Sequence, residues 1–123
     1  MFPALYHAHH RHYREDMPFW IELAKQQGGP VLELGCGTGR VLLNLAEAGF
    51  ATVGLDNDLG MLRFLRAAQP AALQPAPLLF TANLVEFRLA KRFPLVLLPC
   101  NTWSVLDAGQ RRQALRCIIQ HLS

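Results

Sequence analysis

The sequence has no apolar run long enough to span a bilayer, and stretches such as "PLVLLPC" fall far short of the roughly 20 residues that a membrane helix needs. The N-terminus also lacks the long apolar segment of a secretory signal. The three cysteines, Cys36, Cys100 and Cys117, include no CxxC pair, which argues against a disulfide framework or a cysteine zinc site. These absences predict a reduced, cytoplasmic protein.

Neither positive nor negative charge is in large excess. The 12 Lys and Arg and 9 Asp and Glu leave a net charge of +3 over 123 residues, and the arginines fall in short, separate groups such as Arg111, Arg112 and Arg116. No aromatic residues interleave with them, as a surface for single-stranded nucleic acid would require. We interpret these groups as solvated helix faces and expect no nucleic-acid partner and no membrane contact.

Metal-ligating residues are concentrated in one place, the segment "HAHHRHY" with His7, His9, His10 and His12. No cysteine joins them, and Asp16 is the one carboxylate at a suitable spacing. We interpret the segment first as a solvated terminus, second as a substrate contact and third as a metal site. No metal is therefore predicted.

Strand-like and helix-like segments alternate along the chain. This alternation predicts a parallel sheet of right-handed crossover units in an α/β, three-layer, Rossmann-like domain with helices on both faces. The strands are apolar on both faces, as such a sheet requires. The predicted strands are "PVLEL", "FATVGLD", "LLFTAN" and "FPLVLLPCN".

Local signals set the helix ends. Asp16 is predicted to cap the helix that follows it, either Asn57 or Asp58 the third helix, and Asp107 the last one. The last helix is expected to bury one stripe with spacing i, i+3, i+4 and i+7, made of Leu115, Ile118, Ile119 and Leu122.

A glycine loop follows the first predicted strand in "VLELGCGTGR". A loop between a strand and a helix is where such folds bind nucleotide-like ligands. The phosphate-loop pattern GxxxxGK[ST] is absent. The dinucleotide pattern GxGxxG would need its third glycine where the chain has Arg40, and an arginine cannot give the close helix–strand packing that this glycine allows.

At this point the chain resembles the class I S-adenosylmethionine-dependent methyltransferases. "VLELGCGTGR" is similar to their first motif, "VGLDNDLGML" to the second, "TANLVEF" to the third, and "FPLVLLPCNTWSVL" to the fourth strand and the active-site loop after it. The four motifs occur in order and cover essentially the whole chain. The resemblance implies the strand order 3-2-1-4 and S-adenosylmethionine as cofactor.

The resemblance also implies roles for individual residues. Glu33 would accept from the cofactor's ammonium group, and Asp56 would accept both ribose hydroxyls. Met61 or Leu59 would either cover the adenine or pack in the core. The remaining implied cofactor contacts lie in the four motifs and are Gly35, Cys36, Gly37, Gly39, Asn57, Asn83, Leu84 and Pro99.

Two positions depart from the family pattern. The third motif usually carries an acid where this chain has Asn83, whose amide oxygen can still accept from the adenine amino group. The residue ahead of the fourth strand is usually acidic, and here it is Pro94.

Methyl transfer from a sulfonium is an in-line displacement, so proximity and exclusion of water supply most of the acceleration. Tyr13, with Tyr6 as a second candidate, would lie over the sulfonium, where an aromatic ring attracts a cation. Asn101, Thr102 and Trp103 follow the fourth strand, where parallel sheets place their ligand crevice. Tyr13 and Asn101 are the predicted catalytic residues.

These inferences predict a methyltransferase acting on a small-molecule acceptor. The alternative is a non-catalytic S-adenosylmethionine-binding module, and a dehydrogenase comes third. We expect one domain over residues 1–123, with an N-terminal lid and helix in 1–29 and a partial Rossmann-like core in 30–123.

The sheet is expected to stop after the fourth strand. Leu95 to Leu98 are apolar on both faces, which is the pattern of a strand flanked by neighbours, so an outer edge without a partner would be prone to association. The last helix should cover one face of the strand without pairing with its backbone. We therefore expect the chain either to form a homo-oligomer along this edge or to need another segment there.

Overall fold

A computed structural model describes residues 3–10, 15–99 and 102–123. None of the helices in these ranges is long and apolar enough to cross a membrane. The elements are, in chain order, α1 (Pro3–His10), α2 (Met17–Gln27), β1 (Val31–Leu34), α3 (Arg40–Glu47), β2 (Thr52–Asp56), α4 (Leu59–Ala68), β3 (Leu78–Thr81), β4 (Leu95–Leu97) and α5 (Ala108–His121).

The strands form one parallel sheet in the order β3-β2-β1-β4, which confirms the predicted fold class and strand order. Leu32 in the central strand β1 pairs with Val53 on one side and with Val96 on the other. Every residue of β1 is buried. The carboxyl ends of these strands meet at one edge, where the glycine loop after β1 and Asp56 at the end of β2 lie.

Two apolar layers enclose the sheet. On one face Val31 packs with α2 and α3, through residues such as Ala24 and Leu45. On the other face Leu32 packs with Ile118 of α5 and with the connection between β3 and β4. Alternation along β1 therefore sends successive side chains into different layers.

The prediction that each strand is buried on both faces is wrong for β3. Leu78 and Phe80 are 56% and 45% exposed. Leu78 pairs with Val53, so it belongs to the face that α5 and the 82–94 connection cover at β1 and β2. That cover does not extend over β3, which leaves its side chains on this face in solvent.

Helix α5 begins as predicted but buries a different stripe. Asp107 and Gln110 form a complete capping box. The buried residues are Ala114, Ile118 and His121, whereas the expected members Leu115, Ile119 and Leu122 are 45%, 67% and 38% exposed.

A histidine fixes this rotation of α5. The Nε2 atom of His121 accepts from the Leu89 N–H at 2.9 Å, and its Nδ1 lies 2.6 Å from the Cys117 carbonyl. The ring also packs on Phe87, with centroids 4.7 Å apart. Because these contacts need the imidazole inside, the helix turns its polar residue inward and two of its large apolar residues outward.

The chain after α5 corrects a further expectation. The Phe93 N–H donates to the His121 carbonyl at 2.6 Å, and the Ser123 N–H donates to the Phe93 carbonyl at 2.9 Å. Phe93 and Leu122 therefore form a parallel bridge just before β4. The end of the last helix does pair with backbone at the start of this strand, contrary to the prediction.

Candidate cofactor-binding site

The glycine loop connects β1 to α3 and folds against the end of β2. Gly35, Gly37 and Gly39 have φ values of 71°, 57° and 93°, which are left-handed conformations that favour glycine. The N–H groups of Gly35 and Cys36 both donate to the Leu55 carbonyl, at 2.7 and 3.1 Å. The loop is therefore tied to the neighbouring strand before any ligand is considered.

Two of these glycines also make room for the protein itself. A Cβ on Gly35 would lie 2.6 Å from Thr102 Oγ1, and a Cβ on Gly39 would lie 2.8 Å from Leu65 Cγ. Gly35 thus lets the segment after β4 approach the loop, and Gly39 lets α3 pack on α4. Both contacts are intramolecular, whereas all three glycines were predicted to allow the approach of a ligand.

Asp56 ends β2 and organises the loop. Its Oδ2 accepts from the Gly37 N–H at 2.9 Å, and its Oδ1 accepts from the Asp58 N–H at 2.9 Å. A carboxylate oxygen can accept more than one hydrogen bond, so both oxygens retain capacity for a ligand's hydroxyl groups. Asp58, not Asn57, caps α4, accepting from Gly60 and Met61.

Glu33 is a buried acid in the middle of β1. It is 2% exposed, and its Oε1 atom has no hydrogen-bond partner. Burial raises the pKa of Glu33 well above its usual value; Arg40 and a backbone hydrogen bond at Leu42 oppose the shift, and the nearby Asp56 charge adds to it. An unpartnered carboxyl oxygen in the interior is costly unless a ligand group completes it.

Arg40, the first residue of α3, forms a two-pronged ion pair with Asp16. Its Nη1 and Nη2 lie 2.7 and 2.9 Å from the two carboxylate oxygens, and the Arg40 side chain is 8% exposed. Trp20 Nε1 donates to the same carboxylate at 2.7 Å. These hydrogen bonds, that of Arg40 above all, lower the pKa of Asp16 against the opposing effect of its partial burial.

This pair corrects the predicted role of Asp16. The residue does occupy the position before α2, with Pro18 in the first turn, but its side chain accepts no helix N–H. A partner 24 residues away holds the carboxylate instead. Sequence reasoning used Arg40 only to disfavour a dinucleotide site, and no local pattern links the two residues.

The other predicted cofactor contacts differ in how much of each residue is exposed to solvent. Asn83 is exposed, and its Oδ1 accepts from the Val85 N–H at 3.1 Å, so its amide oxygen already serves a turn. Asn57 is exposed, Leu84 is half-buried, and Met61 is 5% exposed, whereas Leu59 is 48% exposed. Burial at Met61 is in keeping with the core-packing alternative.

Cys36 points its side chain towards β2. Its Sγ lies 2.8 Å from the place of a Cβ on Gly54, and burial raises the pKa of the thiol. The Cys36 backbone is engaged as well, because its N–H donates to the Leu55 carbonyl and its carbonyl accepts from the Gly39 N–H at 3.0 Å. The thiol fills space above a glycine of the next strand.

The segment after β4 is held at two points. Thr102 contacts Gly35, as described above, and Thr102 Oγ1 donates to the carbonyl of the buried Pro99 at 3.3 Å. Arg111 of α5 lies over the Trp103 ring, with its Cζ 5.5 Å from the centroid. Arg111 was not among the predicted site residues. The predicted catalytic residues, Tyr13 and Asn101, and the histidine His12 lie outside the described residues.

Helix α1 lies near the same edge of the sheet. It packs on α4, where Pro3 Cγ is 3.5 Å from the place of a Cβ on Gly60. Gly60 is two residues beyond the Asp58 cap, so α1 flanks the ribose-facing end that Asp56 would provide. Together, Glu33, the glycine loop and Asp56 form the candidate site, and α1 lies beside it.

Comparison with known proteins agrees with this geometry. A family model described as a methyltransferase domain matches residues 31–123. The Bacillus subtilis (strain 168) protein YqeM, which carries a provisional methyltransferase name, is 41% identical over 61 residues, covering 50% of this chain and 24% of that protein. A provisionally named methyltransferase of Geobacillus sp. (strain WCH70) is 28% identical over 102 residues, covering 82% of this chain and 41% of its own length.

Solved structures show the same fold. The glycopeptide N-methyltransferase MtfA in complex with S-adenosyl-L-methionine superposes with a TM-score of 0.78 at 28% identity, covering 91% of this chain and 52% of that one. The chain thus spans about half the length of this solved enzyme and less of the curated relatives. It belongs to the methyltransferase domain family, which has a Rossmann-like fold and uses S-adenosylmethionine as its cofactor.

Proposed function

We propose that this chain binds S-adenosylmethionine at the glycine loop and takes part in transferring its methyl group to a small-molecule acceptor. The observation that carries the proposal is the Oε1 atom of Glu33, which is buried and unpartnered beside the loop. The ammonium group of the cofactor is a cation with hydrogens to donate, and it matches this unfilled acceptor.

The other parts of the site suit the rest of the cofactor. Asp56 would accept the ribose hydroxyls while its bonds to Gly37 and Asp58 hold the carboxylate in place. Backbone at Gly37 and the start of α3 would lie along the methionine portion, whose carboxylate is favoured near a helix N-terminus. When bound, the cofactor would supply a sulfonium methyl group for in-line attack by an acceptor atom, with S-adenosylhomocysteine as the leaving group as the C–S bond breaks.

Catalysis would then depend on position more than on a strong base. We propose Tyr13 as the aromatic residue over the sulfonium and Asn101 as the polar residue nearest the acceptor. The contact of Thr102 with Gly35 supports this placement, because it brings the chain next to Asn101 against the cofactor loop.

A second candidate function is a cofactor-binding module that does not turn over by itself. This chain spans 52% of MtfA and 24% of YqeM, and its turnover is therefore tested separately from its cofactor binding. We also propose that such a chain self-associates or binds a further segment along β4, the last strand in the order β3-β2-β1-β4. Free thiols at Cys36 and Cys117 are in keeping with a cytoplasmic location.

Titration calorimetry with S-adenosylmethionine, S-adenosylhomocysteine and NAD tests the binding. We expect both sulfur cofactors to bind and NAD to bind more weakly or not at all. Gly37→Val is the negative control, because a side chain would occupy the space next to the ligand. Tighter binding of NAD would overturn the proposal.

A labelled-methyl assay with a panel of small amines and hydroxyl compounds separates the two candidates. Turnover by the 123-residue chain supports the enzyme. Cofactor binding without turnover supports the module. Light scattering on the same samples reports self-association, with Ile119→Glu as a variant that removes an exposed apolar side chain from α5.

A further inference from the structure

Arg40 acts electrostatically on two acids, Asp16 and Glu33, and forms hydrogen bonds with Asp16. Both of its terminal nitrogens bond to Asp16, at 2.7 and 2.9 Å. Glu33 is the other acid in its field, and the Oε1 atom of Glu33 accepts no hydrogen bond. The site therefore holds a cation that does not complete the buried acid beside it.

We propose that Asp16 is a positioning residue for the cofactor site: by holding Arg40, it leaves Glu33 as a proton-bearing acid that the ammonium group of the cofactor ionises on binding. The proposal rests on the cofactor assignment made above. Beyond that assignment, Asp16 acts on the site without contacting the ligand, and one proton is released from Glu33 when the ligand binds.

The charges around Glu33 favour the neutral acid before the ligand binds. Glu33 is 2% exposed, so water does not stabilise its charge. The negative charge of Asp56, at the end of β2, disfavours ionisation of Glu33, and so does that of Asp16, in the turn before α2. Cys36 contributes a buried, neutral thiol, and among the described residues Arg40 is the cation that acts on Glu33 in the opposite direction.

Binding changes this balance in a defined way. The O–H bond of the Glu33 carboxyl group breaks, its proton passes to solvent, and the carboxylate then accepts from the ligand's ammonium group, which keeps its own charge. If Arg40 instead turned to Glu33, the acid would ionise without a ligand, and the guanidinium would occupy the ammonium's place. Asp16 prevents this because its carboxylate accepts two parallel hydrogen bonds from the Arg40 guanidinium.

Proton release is measured by titrating S-adenosylhomocysteine in buffers of different ionisation enthalpy, across about pH 5 to pH 8. The unmodified chain should release up to one proton per ligand bound, and Glu33→Gln should release none from this source. 5′-Methylthioadenosine, which lacks the ammonium group, should bind without release in either protein.

Three variants test the role of Asp16. Asp16→Asn keeps the shape and should lose most of the proton release and bind S-adenosylhomocysteine about tenfold more weakly, the scale of a hydrogen bond to a charged group. Asp16→Asn combined with Arg40→Gln should recover the release, because no guanidinium remains to occupy Glu33. Trp20→Phe removes the other hydrogen bond to Asp16 and should leave the release unchanged.

The outcomes separate this inference from the proposed function. No binding of S-adenosylhomocysteine by the unmodified, folded chain contradicts the cofactor assignment itself. Binding without proton release at any pH overturns only the protonated Glu33. Full release by Asp16→Asn, with circular dichroism showing a native fold, overturns the role of Asp16. If Asp16→Asn alone folds poorly, absence of proton release from the folded double variant would overturn the role instead, because no guanidinium then remains to occupy the place beside Glu33.

Discussion

The Gly37 N–H donates to Asp56 Oδ2 at 2.9 Å, so the middle glycine of the loop is bonded directly to the acid that ends β2. A residue on which ligand binding would depend therefore also shapes the backbone on which the ligand would lie. A substitution at Asp56 is therefore expected to change both ligand binding and the conformation of the glycine loop.

Asp56→Ala should weaken binding of S-adenosylhomocysteine by about 1.5–3 kcal/mol, the scale of hydrogen bonds to a charged group. It should also lower the melting temperature, because the Gly37 and Asp58 N–H groups lose their acceptor. Calorimetry and a circular dichroism melt measure the two effects. Asp58→Asn is the matched control, since asparagine caps a helix about as well as aspartate; equal losses in both variants would contradict the prediction.

Gly35→Ala should destabilise the fold through two separable effects. Its φ of 71° costs an L residue roughly 1–2 kcal/mol, and its Cβ would also lie 2.6 Å from Thr102 Oγ1. Gly49→Ala provides the φ effect alone, because φ is +99° there and nothing lies within 4 Å. Urea unfolding should show the larger loss for Gly35→Ala.

The contact with Thr102 can be relieved from its other side. Thr102→Ala removes Oγ1 and Cγ2, the two atoms closest to the added Cβ. Combined with Gly35→Ala, it should recover part of the lost free energy of unfolding. If the double variant loses the sum of the two single losses, the segment after β4 does not press on the loop as described.

Glu33 should make stability fall as pH rises. Burial raises the pKa of Glu33 in the folded chain, so the folded state favours the neutral acid. That contribution is complete below the ordinary pKa of the unfolded chain and is lost as pH rises through the raised value. Glu33→Gln removes it, so the stability of this variant relative to the parent should increase with pH in urea titrations. A constant difference between the two proteins would show that Glu33 has the same pKa in the folded and the unfolded chain.

Adjacent isoleucines in α5 test which face of that helix is buried. Ile118 is 8% exposed and Ile119 is 67% exposed. Ile118→Ala should cost about 2–4 kcal/mol of unfolding free energy, as truncation of a core side chain does. Ile119→Ala should stay within about 0.5 kcal/mol of the parent, as surface changes do. Similar losses at both positions would support the stripe expected from sequence.

That helix shows where sequence patterns stop being informative. Capping by Asp107 was predictable, because it depends on a side chain and backbone a few residues away. The buried face of α5 was not predictable, because apolar residues lie on both sides of the helix. His121 determines which side is buried, and its partner Leu89 is distant in sequence.

The same distinction holds at the site. The strand order, the loop and the places of Glu33 and Asp56 follow from motifs that are continuous in sequence. The pairing of Asp16 with Arg40 joins residues 24 positions apart, and nothing local prefers it to an ordinary helix cap. Likewise, the exposure of β3 depends on what covers its face, which the composition of the strand does not report.

His121 provides the last test, because its two ring nitrogens have different tasks. Nε2 accepts from the Leu89 N–H at 2.9 Å, so Nδ1 carries the proton and donates to the Cys117 carbonyl at 2.6 Å. His121→Phe keeps an aromatic ring against Phe87 but leaves the Leu89 N–H without its acceptor. We expect a loss of about 1–3 kcal/mol, the cost of a buried polar group left unpaired.

Urea unfolding and hydrogen exchange check this expectation together. Exchange should accelerate at Leu89 and at Phe93, whose N–H bonds to the His121 carbonyl, because both depend on where the end of α5 lies. The control is Leu122→Ala, one residue further on and 38% exposed, which keeps the imidazole and should leave exchange at Leu89 slow. Unchanged exchange at Leu89 in His121→Phe would mean that ring packing alone positions the helix, and the hydrogen bonds would then be a consequence of that position.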